Sequence, residues 1–197
     1  QDTTRYGLDI YGEYSLAKLL RAITEQTQIP WIRLMYCYPD KITDELIAEM
    51  RDNPRILKYI DLPIQHISDN MLSAMNRRYT KENYLEKIEK IKKRMPGITL
   101  TSDIIVGFPG ETNEQFLDTL DILKKVRYDT IFSFIYSRRP GTPAAKMEDV
   151  ISAEDKKENF NKLLEEYKKQ VEEQAEIQRT FAEKRSSLHQ RKLNLDR

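Results

Sequence analysis

Three polar side chains in this sequence, Gln65, Arg77 and Asp103, are of types that suit the binding of a small polar ligand. An arginine offers a bidentate fork to a carboxylate. Glutamine and aspartate offer the amide and acceptor groups that ribose hydroxyls need. Each also has a structural alternative, because Gln65 could satisfy loop backbone, Arg77 could lie on the surface and Asp103 could cap a neighbouring element.

Two short segments decide how these side chains are positioned. LPIQHIS at residues 62–68 and SDIIVGFPGET at residues 102–112 each place polar residues or glycines at the end of an apolar run, and a helical pattern follows each. In parallel α/β proteins, ligands bind at this end of the strands. Gly107 and Gly110 would let the backbone approach a ligand closely. Ser68, at the end of the first segment, is a further candidate contact.

The first 150 residues alternate strand and helix patterns, which indicates right-handed βαβ units and a parallel sheet. The expected strands cover residues 31–37, 58–64, 98–106 and 130–136. The expected helices begin after Ser15, at Thr43 or Asp44, at Asp69, after Thr80 and after Thr112, where Gln115 completes a capping-box pattern. The pattern does not distinguish an open sheet from a barrel. Four strands could not close a normal barrel, so at least one edge would be exposed.

The remainder of the chain has a different composition. Residues 138–149 are rich in proline and glycine and predict an irregular crossing segment. Residues 151–197 form a charged extension, with one long helix expected over about residues 153–190. We favour a helix that packs its first turns on the domain and then enters solvent, and a short coiled coil is the alternative. Its apolar seam comprises Phe160, Leu164, Tyr167, Val171, Phe181 and Leu188.

Composition sets further bounds. The chain has 197 residues, enough for one domain with a buried core. Its net charge is +1, from 33 basic and 32 acidic residues, so bulk charge argues neither for nor against nucleic acid. No apolar run approaches the ~20 residues of a membrane span. A single cysteine excludes an internal disulfide framework and is typical of a reducing cytoplasm. Because the chain starts at Gln1 rather than at a methionine, we expect a fragment.

Six segments resemble, in order and spacing, the radical S-adenosylmethionine (SAM) methylthiotransferase family. They are QDTTRYG (1–7), MYCYP (35–39), DLPIQHIS (61–68), MNRRYT (75–80), TSDIIVGFPGET (101–112) and YSRRPGTPAA (136–145). The resemblance covers roughly residues 1–167 and implies strands three to six of a six-stranded partial TIM barrel. It also implies that Gln65, Arg77 and Asp103 contact SAM, and that Gly107 and Gly110 form the glycine-containing turn beside it.

The resemblance further implies a cofactor whose ligands are not on this chain. The family binds a SAM-cleaving [4Fe–4S] cluster through a Cys-x3-Cys-x2-Cys motif, and Cys37, the one cysteine here, matches no ligand position. The two histidines are no substitute. His66 could touch a ligand, but we favour a packed or solvated loop histidine, and we expect His189 in the charged tail to be solvated. We therefore predict no metal site on this chain. Tyr36 replaces a glutamate that some relatives carry, and no β-rich TRAM domain is evident after residue 167.

Two branches of the family share these features. The segments nearest the start look like RimO, which modifies an aspartate of a ribosomal protein. The segments TSDIIVGFPGET and YSRRPGTPAAKM look more like MiaB, which modifies an adenosine of tRNA. We favour a ribosomal protein as partner and keep tRNA as the alternative. In the tRNA case Arg138, Arg139 and Lys146 could meet phosphates, although cations in such a loop are more often solvated.

The sequence thus predicts part of an enzyme that is inactive alone. In the intact protein the reduced cluster would cleave SAM, the resulting radical would abstract hydrogen from an unactivated carbon, and sulfur and methyl would follow; the sulfur donor is not indicated. Two alternatives remain. One is a non-catalytic half-barrel that binds a partner, and the other is an inactive fragment whose open edges and apolar surface favour aggregation.

Overall fold

Four parallel strands form the sheet in this computed structural model, which describes the backbone of residues 2–195 and the side chains of residues 2–186. The strands are β1 (Ile32–Leu34), β2 (Ile56–Asp61), β3 (Thr99–Val106) and β4 (Thr130–Ile135), in the spatial order β1-β2-β3-β4. Gln1, which opens the QDTTRYG segment, and the side chains of Leu188 and His189 lie outside the described part. The expected parallel α/β fold is confirmed. Within the described residues β1 and β4 are the two edges, so both edges lack a neighbouring strand.

Seven helices accompany the strands in the described chain. They are α1 (Leu8–Tyr11), α2 (Leu16–Gln26), α3 (Asp44–Asp52), α4 (Asp69–Ala74), α5 (Lys81–Arg94), α6 (Asn113–Val126) and α7 (Ala153–Leu195), with short 3-10 turns at Thr3–Arg5, Pro39–Lys41 and Pro143–Lys146. Helix α3 connects β1 to β2, α4 and α5 connect β2 to β3, and α6 connects β3 to β4. Each crossover therefore returns the chain to the same end of the sheet before the next strand begins. No helix among the described residues is both long and apolar enough to cross a membrane.

Side-chain caps fix where several helices begin. Thr112 accepts a hydrogen bond from the Gln115 amide at 3.3 Å, and Gln115 Oε1 accepts from the Thr112 amide at 2.9 Å, which confirms the expected capping box. Thr80 caps α5 in the same way. Ser15 lies at the N-cap of α2 as expected, but its hydroxyl donates instead to Glu13 O, so the serine cap itself is not formed.

The two faces of the sheet differ, and β3 shows this most clearly. Leu100, Ile104 and Val106 alternate along the strand and belong to the hydrophobic core with the helices. Asp103 and Ile105 lie between them in sequence and are only partly buried. Because successive side chains of a strand point to opposite faces, these two residues occupy the face away from the helices. That second face carries the candidate site.

The first two strands differ most from the sequence-based expectation. The first strand ends at Leu34 instead of residue 37, since Tyr36 adopts a left-handed φ of 54° that an extended strand cannot contain. The second begins at Ile56 and ends at Asp61 instead of spanning residues 58–64. Pro63, which has no N–H, interrupts the regular ladder, and Gln65 then pairs with Ile104 of β3 as an isolated bridge.

Helix α7 packs its first turns on the sheet domain. The Leu163 side chain is fully buried in the core. The Tyr167 hydroxyl donates to Asp129 O, and Gln170 Nε2 donates to Tyr128 O, each at 2.8 Å. The described side chains of residues 175–186 are exposed. The helix extends to Leu195, five residues past the expected end near residue 190.

Candidate functional site

Gln65, Arg77 and Asp103 line a single cavity of about 720 Å³ on the open face of the sheet. They arrive from three different segments: the loop after β2, the segment after α4, and β3 itself. Apolar and aromatic neighbours complete the walls, among them Ile105, Phe108, Phe134 and Tyr136. The structure therefore brings together the three polar residues that the sequence analysis singled out.

Gln65 is held beside β3 by its own backbone. Its N–H donates to Asp103 O, and its carbonyl accepts from the Ile105 N–H, both at 2.8 Å. The next amide, of His66, donates back to Ile64 O at 2.8 Å, so Gln65 is the centre of a γ-turn with a φ of 64°. A γ-turn with positive φ is rare and strained for a residue other than glycine. This strain directs the Gln65 side chain to the cavity instead of continuing the strand.

Asp103 is the acidic residue among the described residues that line the cavity. Burial raises the pKa of its carboxyl, and the nearby Asp61 carboxylate raises it further, whereas the Arg77 guanidinium and the Gln65 side chain lower it. Asp61 is different, since its two oxygens accept from the Tyr36 N–H at 2.8 Å and from the Thr101 hydroxyl at 3.0 Å. Asp61 thus stabilises the fold through its hydrogen bonds. Ionised Asp103, which burial disfavours, lowers the free energy of unfolding instead.

Arg77 is placed by the end of α4 and by an aromatic ring. Its N–H donates to Leu72 O at 2.7 Å, after Asn76 turns the chain with a left-handed φ of 57°. Its guanidinium carbon lies 5.6 Å from the ring centroid of Tyr38, within the range of a cation–π contact. The Tyr38 ring is itself packed edge-on against Tyr79, with centroids 5.4 Å apart. The charge of Arg77 is thereby oriented before any ligand arrives.

Ser68, Gly107 and Gly110 are not among the described residues that line this cavity. Ser68 is buried at the start of α4, and its N–H donates to the His66 ring at 3.0 Å. Gly107 and Gly110 shape the turn after β3 with φ values of 74° and 82°. The direct contact of these three residues with a ligand stays a prediction.

Sequence analysis missed several residues of the site. Tyr38 and the aromatic pair Phe108–Tyr136, whose ring centroids are 5.1 Å apart, carried no signal beyond their aromatic character. Glu111 was also missed. It is buried beside His66, with 2.9 Å between His66 Nε2 and Glu111 Oε1.

The described residues do not fit an iron–sulfur cluster. Cys37 is 3% exposed, and burial raises the pKa of its thiol to about 12, whereas a metal ligand must be a thiolate. Across residues 2–186, no group of three or more His, Cys, Asp and Glu side chains is arranged to hold a metal ion. His66 is fully buried and paired, which is the packed alternative of the sequence analysis.

Asp103→Asn is expected to raise the stability of the protein at pH 7, by about 1–2 °C in melting temperature. The raised pKa means that the folded state binds a proton more readily than the unfolded chain. The ionised form of Asp103 therefore opposes folding above that pKa, and the opposition fades as the pH falls through it. Melting curves of the wild type and the variant should converge at acid pH.

Asp61→Asn is the matched comparison, because it removes the same charge from the neighbouring strand β2, where Asp61 pairs with Thr101. It should lower the melting temperature, since an amide replaces a carboxylate that accepts two hydrogen bonds. Destabilisation by both substitutions would contradict the view that Asp103 is held at a cost.

The comparisons with known proteins agree on one superfamily. The profile of the Radical SAM superfamily matches residues 3–123. The solved structure of TsrM, a radical S-adenosylmethionine methyltransferase from Kitasatospora setae, superposes with a TM-score of 0.54 over 66% of this chain and 26% of that chain. At 21% sequence identity, this likeness supports the fold alone.

Two kinds of curated relatives are similar to this chain. Ribosomal protein uS12 methylthiotransferase RimO of Carboxydothermus hydrogenoformans is 47% identical over 165 residues, which cover 84% of this chain and 38% of the relative. The tRNA-2-methylthio-N(6)-dimethylallyladenosine synthase of Acetivibrio thermocellus is 50% identical over 165 residues, which cover 84% of this chain and 34% of the relative. The chain thus spans little more than a third of the length of the curated relatives it matches.

Proposed function

The chain belongs to the radical SAM superfamily, and from this premise we propose that it forms the SAM-binding part of a methylthiotransferase that modifies ribosomal protein uS12. The observation that carries the proposal is the convergence of Gln65, Arg77 and Asp103 on one cavity. The relatives named RimO support the reaction and the substrate. In this proposal residues 1–150 are the partial barrel and residues 151–197 a helical extension, and the protein works in the cytoplasm with ribosomal components.

The residues of the cavity fit SAM by their chemistry. SAM carries an α-carboxylate, which the guanidinium fork of Arg77 would hold. It also carries ribose hydroxyls, which would donate to the Asp103 carboxylate and exchange hydrogen bonds with the Gln65 amide. Ile105 and Phe108 would exclude water around the nucleoside. When bound, SAM supplies the reactive adenosyl group and the methyl group, and the task of this chain is to bind and orient it.

The iron–sulfur cluster of the superfamily has no part in the role proposed for this chain. Cys37 does not fit as a ligand, so no chemical step is assigned to it or to a metal on the described residues. We propose that Ser68, Gly107 and Gly110 act on SAM binding by supporting the two loops at the cavity, in addition to any direct contact.

A tRNA substrate is the second candidate, and the relatives named as tRNA-modifying synthases favour it. The crossing segment gives it weaker support. Arg138 donates to Ala145 O at 3.3 Å and to Met147 O at 3.2 Å, so its guanidinium holds the segment itself. Arg139 lines the SAM cavity. Of the three cations expected near RNA, two therefore have a role within the protein.

The test offers each of the two candidate substrates to the protein in a separate reaction. The full-length protein, reconstituted with its cluster under anaerobic conditions, would be given a reductant, a sulfide source and SAM, with either uS12 or tRNA that carries N(6)-dimethylallyladenosine without the methylthio group. We expect a methylthio group on the uS12 peptide by mass spectrometry, and none without SAM. Modification of tRNA alone would replace the proposal with the second candidate, and modification of neither by a protein that binds and cleaves SAM would reject both substrates.

A further inference from the structure

A buried histidine–glutamate pair connects the two loops that border the cavity. His66 is 0% exposed and Glu111 is 8% exposed. His66 Nε2 lies 2.9 Å from Glu111 Oε1, and the other oxygen, Oε2, accepts a hydrogen bond from the Gly107 N–H at 2.5 Å. His66 directly follows Gln65, and Gly107 directly follows β3. The pair therefore joins the loop that carries Gln65 to the turn that follows the strand of Asp103.

The hydrogen bonds fix the tautomer of His66. Its Nδ1 accepts from the Ile67 N–H at 2.9 Å and from the Ser68 N–H at 3.0 Å. An atom that accepts from two N–H groups cannot carry a proton, so the proton of the neutral ring is on Nε2. Nε2–H then donates to the Glu111 carboxylate. The histidine thus acts as a neutral link that binds the two amides before α4 with one nitrogen and Glu111 with the other.

Glutamate is the side chain that satisfies both ends of this link. Both of its oxygens face donors, His66 Nε2–H on one side and Gly107 N–H on the other. An amide in its place would present an NH2 group to one of these donors, whichever way it were turned. A buried donor that faces another donor is left unsatisfied, which destabilises this arrangement.

The location of the link gives it a function beyond packing. Gln65 holds a strained γ-turn, and such a conformation persists only where its surroundings over-determine it. On one side Gln65 is bonded to β3, and on the other it is followed at once by the anchored His66. Without the anchor, the turn could relax and withdraw the Gln65 side chain from the cavity.

We propose that His66 and Glu111 are positioning residues that preform the SAM cavity by holding the Gln65 turn against the Gly107 turn. This rests on the proposed SAM-binding function. The pair itself does not line the cavity, so it acts through Gln65 and through the backbone of the β3–α6 turn. Loss of the link should weaken SAM binding without removing any group that touches SAM.

Glu111→Gln in the full-length holoenzyme tests the link directly. We expect the dissociation constant of SAM, measured by calorimetry well below the melting temperature, to rise roughly fivefold to tenfold. Amide hydrogen exchange at residues 65–68 and at Gly107 should accelerate as well. Glu114→Gln, an exposed position of α6, is the matched control and should change neither quantity.

Two substitutions of His66 separate positioning from simple destabilisation. Asparagine at position 66 retains an acceptor near Nδ1 and loses the bond to Glu111, so His66→Asn should resemble Glu111→Gln. Glutamine at position 66 does the converse, because its NH2 group can donate to Glu111 in place of Nε2–H while the Ile67 and Ser68 N–H groups lose their acceptor. His66→Gln should therefore bind SAM more tightly than His66→Asn.

The outcomes distinguish this inference from the proposed function. If Arg77→Ala weakens SAM binding and a folded Glu111→Gln binds SAM as the wild type does, the cavity binds SAM but the link does not preform it. Equal or greater weakening by His66→Gln than by His66→Asn would also overturn the inference. If Arg77→Ala leaves the affinity unchanged, the assignment of the cavity to SAM is wrong.

Discussion

Gly107→Ala is expected to lower the free energy of unfolding by roughly 2–4 kcal/mol. Gly107 has a φ of 74°, where a residue with a Cβ pays about 1 kcal/mol. A Cβ built there would also lie 2.5 Å from Lys156 Cγ and 2.8 Å from its Cδ. Lys156 cannot easily yield, because it is 8% exposed and its Nζ lies 2.5 Å from Asp149 Oδ2. Urea denaturation followed by circular dichroism would measure the loss.

Gly110→Ala provides the matched control three residues later. Gly110 has a similar φ of 82°, yet no described atom lies within 4 Å of the Cβ position. It should therefore lose only the backbone part, about 1 kcal/mol. Equal losses at the two positions would show that Lys156 gives way and that helix α7 does not fix the turn.

The contact between Gly107 and Lys156 explains why α7 matters for the site. Lys156 lies in the first turn of α7 and packs directly against the turn after β3. Its Nζ is also 5.7 Å from the ring centroid of Tyr136, which lines the cavity. The far side of the same turn is bound by Glu111 through the Gly107 N–H. The β3–α6 turn is thus fixed from two directions, by α7 and by the histidine–glutamate pair.

The convergence of Gln65, Arg77 and Asp103 could be predicted because it follows from topology. Gln65 follows β2, Arg77 follows α4 and Asp103 lies in the second half of β3. In a parallel βαβ series the carboxyl ends of the strands share one edge. The helix starts at Thr80 and Thr112 could be predicted because a cap is a local motif of four residues. These features depend on short stretches of chain.

Contacts between distant residues could not be predicted in this way. Tyr38 lies under Arg77 across 39 positions of sequence, and Glu111 meets His66 across 45. In each pair, neither residue lies in a periodic or capping pattern that indicates its partner. The early end of β1 had a similar cause, since the left-handed conformation of Tyr36 is stabilised by Asp61, which accepts its N–H from the next strand.

Arg77→Ala is expected to weaken SAM binding by ten- to a hundredfold in the full-length protein. The guanidinium would form charge-assisted hydrogen bonds with the carboxylate of SAM, and such bonds are worth roughly 1.5–3 kcal/mol. Arg77 is partly exposed, and its described partner is the ring of Tyr38. Its removal should therefore change the melting temperature little. Calorimetric titration with SAM would give the affinity.

Arg78→Ala is the control that separates this site from a general effect of charge. Arg78 is the next residue, carries the same charge, is exposed and is not among the described residues of the cavity. Its loss should leave the affinity within about twofold. Arg77→Lys should fall between the wild type and Arg77→Ala, because an ammonium retains the charge but not the fork. Equal weakening by Arg77→Ala and Arg78→Ala would mean that the carboxylate of SAM responds only to the net positive charge, and that the orientation of Arg77 by Tyr38 has no role in recognition.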